Sequence, residues 1–387
     1  MNIICCKSTD EAAQEAFRLR YEVFAAERGY GASDADHESR SSSDALDDYA
    51  QIYIAMKNGE VIATARTIYS RDCDFRSKLP IELAEAWKIE KFLESFPETL
   101  SVASRFAISP KHRGSLAAAL IMSRMCADML DEGIDFLFST CSTYLIDFYS
   151  QLGFRVYSPS YANDVGFATP IISVLRDWSH LKAIESPALR LLEKKKLCAF
   201  EHPSVVWFRD TYGDTLNSFV VSHNDLALSK MLAFGAQPEL RGARQANIFQ
   251  AMSAEDIKSI TGLGRLFNVS AGQPINQTMQ QDDEMYVVVD GEIIERRLDG
   301  ELPSLRISSG QVLGEVGLFT GTIRSTDFIA ATDVQLASLS RQGLDRLMKT
   351  KPELAARLLF NLARLQSLKI IRANQDMLTL YLNLQHE

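Results

Sequence analysis

The chain has 387 residues, 46% of them apolar, and a formal net charge of −9. That length suits two domains with a connection, and an acidic chain whose one tight basic run is Lys194-Lys195-Lys196 argues against a nucleic-acid-binding face. No apolar run approaches the roughly 18 residues of a membrane span. The start, Met1–Lys7, lacks the basic flank and apolar stretch of a signal peptide, so a cytoplasmic location is expected. The cysteines at 5, 6, 73, 126, 141 and 198 show no C-x-x-C spacing, and the histidines no i, i+4 pairing. Both facts speak against a disulfide framework and against a metal site.

In chain order, the first strand is predicted at Ile3–Cys6, and Ser8-Thr9-Asp10-Glu11 reads as a capping box opening a helix. Along that helix Ala13, Ala16, Phe17, Arg20 and Phe24 fall on one stripe, so Arg20 points where its apolar neighbours point. A buried guanidinium needs a partner. Ile52–Met56, a turn at Lys57–Glu60 and Val61–Ile68 read as a hairpin. A strand over Val102–Ile108 ends at Ser109-Pro110. A helix over Leu116–Leu130, a strand over Phe136–Cys141, a helix over Leu145–Leu152 and a strand from Phe154 follow.

Between 186 and 245, Pro187–Lys196 reads as a helix, and Val205–Phe208 and Phe219–Val221 are too apolar and aromatic for a flexible tether. An ordered connector is expected there. Beyond it, Ile248-Phe249 precedes a helix start marked by Ser253 and Asp256. Gly272 punctuates a strand, Met285–Asp290 runs apolar into a turn at Gly291, and strands recur at Leu305–Ile307 and Phe328–Thr332. Short strands at close spacing imply an antiparallel roll. Pro352 then opens a helix with Leu354, Leu358, Leu362 and Leu365 on one stripe, which continues to Leu368 and Ile371. A stripe that long predicts a homodimer contact, the alternative being cover for the connector.

Two stretches of the first half carry chemistry. Pro110-Lys111-His112-Arg113-Gly114-Ser115 lies between a strand and a long helix, and Phe148-Tyr149-Ser150-Gln151-Leu152-Gly153-Phe154 ends the next helix. This order resembles the GCN5-related N-acyltransferases. The resemblance implies a coenzyme A pyrophosphate resting on the long helix's N-terminus, held by Arg113, Gly114 and Ser115. It also implies Tyr149 as the acid that protonates the departing thiolate; the alternative reading of Tyr149 is a core aromatic. Leu116 replaces the family's central glycine, which points to a weaker coenzyme A grip or to a donor carried on acyl-carrier protein. Arg20-Tyr21-Glu22-Val23-Phe24, Tyr30, Asp47-Asp48, Arg66 and Ser104-Arg105-Phe106 are similar to the acyl-homoserine-lactone synthases and the related N-acyl amino acid synthases. That likeness places Arg20, Phe24, Arg66 and Arg105 in an acyltransferase cleft. Val102 stands where those synthases carry a glutamate, so simple N-acyl transfer is expected and no base is named. The alternative is arginines paired structurally with Asp47, Asp48 or Glu22.

Near the C-terminus, Gly314-Glu315-Val316-Gly317-Leu318-Phe319 is followed by Arg324-Ser325. A helix turn at Val316–Leu318 offers backbone N–H groups to an anion. Arg324 can fork onto two phosphodiester oxygens, and Glu315 can accept from a sugar hydroxyl. The segment resembles the phosphate-binding cassette of cyclic-nucleotide-binding domains, closest to the bacterial catabolite activator proteins, and the likeness covers roughly residues 246–366. Gly314, Glu315, Val316, Arg324 and Ser325 are then the binding residues, with cyclic AMP or cyclic GMP as effector. In those activators a DNA-reading domain follows, whereas this chain runs only to Glu387, so no DNA partner is expected.

The expected fold class is an α+β/α/β acyltransferase domain, a mixed sheet flanked by helices, followed by an all-β jelly-roll cyclic-nucleotide-binding domain with flanking helices. The expected domains are 1–185, a connector over 186–245, and 246–387. The expected function is cyclic-nucleotide-regulated transfer of an acyl group from acyl-CoA or acyl-carrier protein to a small-molecule amine such as an amino acid. Two alternatives stand beside it: a nucleotide sensor with a degenerate acyltransferase module, and a nucleotide-dependent protein lysine acetyltransferase.

Overall fold

The computed structural model describes residues 1–27, 35–113, 115–142, 145–163, 166–216, 229–233, 247–264, 266–276, 284–297, 305–321 and 326–384. The chain forms two compact units, the first within residues 1–219 and the second within 220–387.

The first unit opens with β1 (Asn2–Cys6), α1 (Glu11–Arg20), β2 (Gln51–Lys57) and β3 (Glu60–Tyr69). Three short helices, α2 (Phe75–Lys78), α3 (Ile81–Ala86) and α4 (Ile89–Ser95), lead into β4 (Leu100–Ile108). Then come α5 (Ala117–Asp131), β5 (Phe136–Ser142), α6 (Ile146–Gln151), β6 (Arg155–Val156), β7 (Tyr161–Asn163) and β8 (Gly166–Val174). The helices α7 (Trp178–Ala183), α8 (Leu189–Lys194) and α9 (Pro203–Tyr212) close the unit. Its sheet runs β1-β2-β3-β4-β5-β8-β6, with β7 on β8. Every pairing is antiparallel except β4 with β5.

Local chemistry explains much of this. The β2–β3 hairpin turns through Asn58 and Gly59, both at positive φ (54° and 82°), as a two-residue type I′ turn requires. One face of the sheet is closed by an aromatic cluster around Phe92, whose ring meets Phe138 edge-on at 4.8 Å and stacks on Tyr212 of α9 at 5.4 Å. Val205, Phe208 and Tyr212 of α9 are buried in that core, which puts part of the 186–245 stretch inside the first unit. The start of α1 differs from expectation. Asp10 is the N-cap and makes no capping bond; its carboxylate instead accepts from the Lys7 N–H at 2.8 Å.

The second unit contains two four-stranded sheets, β10-β15-β12-β13 and β14-β11-β16-β9. Their strands are β9 (Leu266–Val269), β10 (Pro274–Asn276), β11 (Glu284–Asp290), β12 (Glu292–Arg297), β13 (Leu305–Ser308), β14 (Val312–Leu313), β15 (Thr326–Ala330) and β16 (Val334–Ser340). All pairings are antiparallel. The entry helix Ala254–Thr261 has the reciprocal cap its sequence announces. The Ser253 hydroxyl accepts from the Asp256 N–H at 3.1 Å, and the Asp256 carboxylate accepts from the Ser253 N–H at 3.0 Å.

The C-terminal helix runs 33 residues, Pro352–Leu384, about 50 Å at 1.5 Å per residue. Its stripe of Leu354, Leu358, Leu362 and Leu365 packs on Ile248, Phe249, Met285 and Val287 of its own unit. That corrects the expectation of a leucine dimer contact, because the jelly roll needs this cover for itself. The face left open carries Phe360 and Ile370, at 70% and 60% exposure.

Candidate active site and nucleotide site

The parallel strands β4 and β5 pair only at Leu100–Phe136, Ser101–Leu137 and Val102–Phe138. Beyond Val102 they separate, although β4 continues to Ile108 and β5 to Ser142. Two carbonyls at the crotch accept from side chains. Trp87 Nε1 donates to the Ser139 carbonyl at 3.1 Å, and the Ser139 hydroxyl donates to the Ala103 carbonyl at 3.0 Å. The result is a wedge open toward the C-terminal ends of both strands. The loop before α5 and the start of α6 leave from those same ends, and in α/β sheets ligands gather there.

The β4 side of the wedge carries an unusual concentration of charge. Arg20 Nη1 donates to Asp47 Oδ1 at 2.8 Å. Arg66 donates through Nη1 to Asp44 at 2.5 Å and is 3.0 Å from Asp47, while its Nε donates to the Ser104 hydroxyl at 2.8 Å. Arg105 reaches the other oxygen of Asp44 from Nη2 at 2.8 Å. Asp44 and Asp47 hold each other through a capping box on the 3-10 turn Ala45–Tyr49. Arg20, Arg66 and Asp47 are buried; Arg105 and Asp44 are the members that solvent reaches, at 35% and 30% side-chain exposure. Burial by itself raises the Asp44 carboxyl, but the Arg66 hydrogen bond and the charges of Arg66 and Arg105 overcome it and hold the group well below the usual carboxylate range. Three guanidinia against two carboxylates leave one positive charge in the cluster.

Two departures from regular backbone aim this cluster. After α1 the chain continues as a π-helix over Tyr21–Ala26, a form that collects at functional sites. It changes the helical phase, so Val23 and Ala25 are buried and Phe24 leaves the stripe on which the sequence places it. In β4 the register to β3 shifts between Thr64 and Arg66, and Arg105 within that bulge has φ of 55°. A left-handed arginine costs about 1–2 kcal/mol, and bulges beside active sites re-aim side chains. Here the bulge sets the Arg105 guanidinium 6.0 Å over the Phe24 ring.

The other named residues fall as follows. Tyr149 on α6 is buried, edge-on to Phe154 at 5.3 Å and Phe148 at 5.4 Å. Arg113 pairs with Glu27 at 2.5 Å, linking the loop before α5 to the end of the π-helix. The Ser115 hydroxyl accepts from the Ala117 N–H at 3.4 Å. Leu116, at the N-cap of α5, is 72% exposed. Gly114, Tyr30, Arg324 and Ser325 lie outside the described residues. Val102 is in the core, and Asp48 is exposed with no part in the cluster. Sequence reasoning missed Asp44, Trp87 and Ser139. The Asp44-Ala45-Leu46-Asp47 spacing is a readable capping signature; nothing in the sequence marks the other two.

Burial raises the thiols of Cys5, Cys6, Cys73, Cys126 and Cys198, Cys6 to about 11 and Cys126 to about 12, so none of these five is a ready nucleophile. Among the described residues no cluster of His, Cys, Asp or Glu is placed to hold a metal ion, and no helix is long and apolar enough to cross a membrane.

In the second unit, Gly314 takes φ of 84° and caps the short helix Glu315–Thr320. Glu315 is buried, and Val316 beside it is 56% exposed. The C-terminal helix reaches Glu315 through two donors on one oxygen, Gln366 Nε2 at 2.8 Å and Lys369 Nζ at 2.5 Å.

Residues 15–172 match the family of the N-acyl amino acid synthase FeeM, and residues 266–351 match the cyclic nucleotide-binding domain. The chain joins an N-acyl amino acid synthase domain to a cyclic nucleotide-binding domain. It is an N-acyltransferase. Among solved structures, a CoA-dependent acyl-homoserine lactone synthase, BjaI, is similar at 15% identity, covering 51% of this chain and 99% of its own, with a TM-score of 0.38. A cyclic nucleotide-binding domain from Methylobacillus flagellatus is similar at 18% identity over 46% of this chain and 96% of its own, with a TM-score of 0.36. The catabolite activator protein of Thermus thermophilus shows 23% identity over 35% of this chain and 62% of its own, with a TM-score of 0.32. No curated protein matches the chain.

Proposed function

We propose that the enzyme moves an acyl group from a phosphopantetheine thioester, on coenzyme A or acyl-carrier protein, to the amine of an amino acid, and that a cyclic purine nucleotide sets its rate. The surplus positive charge of the Arg20–Asp47–Arg66–Asp44–Arg105 cluster is the observation that carries the acceptor class. An amino acid's carboxylate would complete that charge balance, meeting Arg105, the arginine solvent reaches. The thioester arm enters the wedge between β4 and β5, where an extended chain finds backbone groups that the strands no longer offer each other. Arg113, Gly114 and Ser115 take the donor's phosphates in this reading. The exposed Leu116 at the N-cap favours an apolar carrier surface there over a close pyrophosphate.

The neutral amine attacks the thioester carbon, so a C–N bond forms as the C–S bond breaks. Tyr149 gives its proton to the departing thiolate, and the ammonium formed in the attack loses one to water. No base is named: Val102 occupies the relatives' glutamate position in the core, and Asp44 is engaged by two arginines. With the thiols of Cys5, Cys6, Cys73, Cys126 and Cys198 held protonated, direct transfer is favoured over an acyl-enzyme.

In the second unit Gly314, Glu315 and Val316, with Arg324 and Ser325, hold the nucleotide's phosphate and ribose. The exposed Phe360–Ile370 face of the C-terminal helix is then the surface on which two copies pair. We read the first unit, whose core extends past residue 185 to α9, and residues 246–387 as catalytic and regulatory domains of a cytoplasmic enzyme without a DNA partner.

The test follows thiol release from acyl-CoA and acyl-carrier-protein donors with amino acid acceptors, with and without cyclic AMP or cyclic GMP, and weighs the products. A ligand acts only through its difference in affinity for two states, and coupling of about 1–3 kcal/mol changes the rate roughly five-fold to a hundred-fold. Equal rates would reject the gating. Acylated protein in place of acylated amino acid would move the acceptor to lysine, and an undiminished Tyr149→Phe variant would reject the acid.

A further inference from the structure

Glu315 is 4% exposed, yet both of its donors fall on the same oxygen, Oε1. A carboxylate has about four acceptor positions, and among the described residues Oε2 has no donor. The two donors are three residues apart on one face of the C-terminal helix. They follow directly on Leu365, the last of its buried leucines. Lys369 Nζ also lies 3.4 Å from the Val312 carbonyl, in the strand that leads into the cassette. One ammonium therefore spans the strand before the cassette and the first residue of its helix. A buried carboxylate needs a paired counter-charge, and Lys369 is the cation in contact with it.

We propose that Lys369 is a positioning residue of the nucleotide site: it holds Glu315 by Oε1 so that Oε2 reads the 2′-hydroxyl of a ribose, and ties that reading to the C-terminal helix. This rests on the nucleotide-binding reading above. Sugar recognition then acts on the helix at residues 366–369, just where the helix leaves its own core.

The test is calorimetry on the full chain with cyclic AMP, cyclic GMP and their 2′-deoxy counterparts. A hydroxyl donated to a charged acceptor supports a preference for the ribose forms of about ten-fold to a hundred-fold in the unaltered protein. Lys369→Met, and separately Lys369→Thr, should bring that preference below about three-fold, Lys369→Arg should restore it, and Glu315→Gln should abolish it. A merely structural lysine would weaken all four ligands alike and leave the ratio intact, and that result overturns the inference while nucleotide binding stands. If the unaltered protein binds none of the four, the binding reading fails and this one with it.

Discussion

In the first unit, charged side chains at positions 20, 44, 47, 66 and 105 converge from a helix, a 3-10 turn and two strands. In the second, one carboxylate at the start of a short helix meets two side chains of a single long helix. The first arrangement is a closed network, built on a π-helix and a left-handed arginine, in which every carboxylate serves two guanidinia. The second is open: among the described residues one oxygen of Glu315 has no donor, and its cation Lys369 is half exposed. A network that shares its charges resists change and fixes a geometry, which suits a site that must align two reactants. A single pair with a spare acceptor suits a site that must register whether a ligand is present.

Breaking the closed network at its buried carboxylate has the largest expected effect. Asp47→Asn keeps the shape but leaves Arg20 and Arg66 without that shared charge, and losing one partner of a buried pair costs about 3–5 kcal/mol. Urea unfolding should show the loss as a lower midpoint in the first unit's transition, with the second unit's unchanged. A variant as stable as the parent would mean the arginines are balanced some other way.

A sharper division of structure from function comes from Arg105→Gly. Glycine relieves the left-handed backbone, so the unfolding midpoint should hold or rise. Loss of a charge-assisted contact should lower kcat/KM for the amino acid acceptor by about ten-fold to a hundred-fold. An unchanged kcat/KM would remove Arg105 from the acceptor site.

The smallest effect concerns pH. Burial, with the Arg155 charge beside it, pushes the His180 imidazole down from 6.5 to about 4. The folded state then binds fewer protons than the unfolded state between those values, so its stability is full above about 6.5 and declines as pH falls toward 4. The first unit's thermal midpoint should drop more between pH 7 and pH 5 than that of a His180→Gln variant. Parallel profiles would assign the acid sensitivity elsewhere.

By itself the sequence determined β1 to β5 with α1, α5 and α6 among them, the β2–β3 turn at Asn58-Gly59, and the Ser253–Asp256 cap, but it did not mark α2 to α4, β8 or β16. Those it marked rest on interactions within a few residues, where periodicity and turn chemistry act directly. The sequence also singled out Arg20, Arg66 and Arg105 as residues that belong together, through resemblance, and the family comparisons follow the same division of the chain. What only the tertiary structure decided is how charges and surfaces pair. Asp44 became the bridge between Arg66 and Arg105 because the 3-10 turn brings it beside β3 and β4. Phe24 left its helical stripe because a π-helix carries no sequence periodicity of its own. The leucines of the C-terminal helix turned inward, and Lys369 found Glu315 across 54 residues of chain. Contacts that close over such separations depend on where the whole chain goes, and no local pattern encodes them.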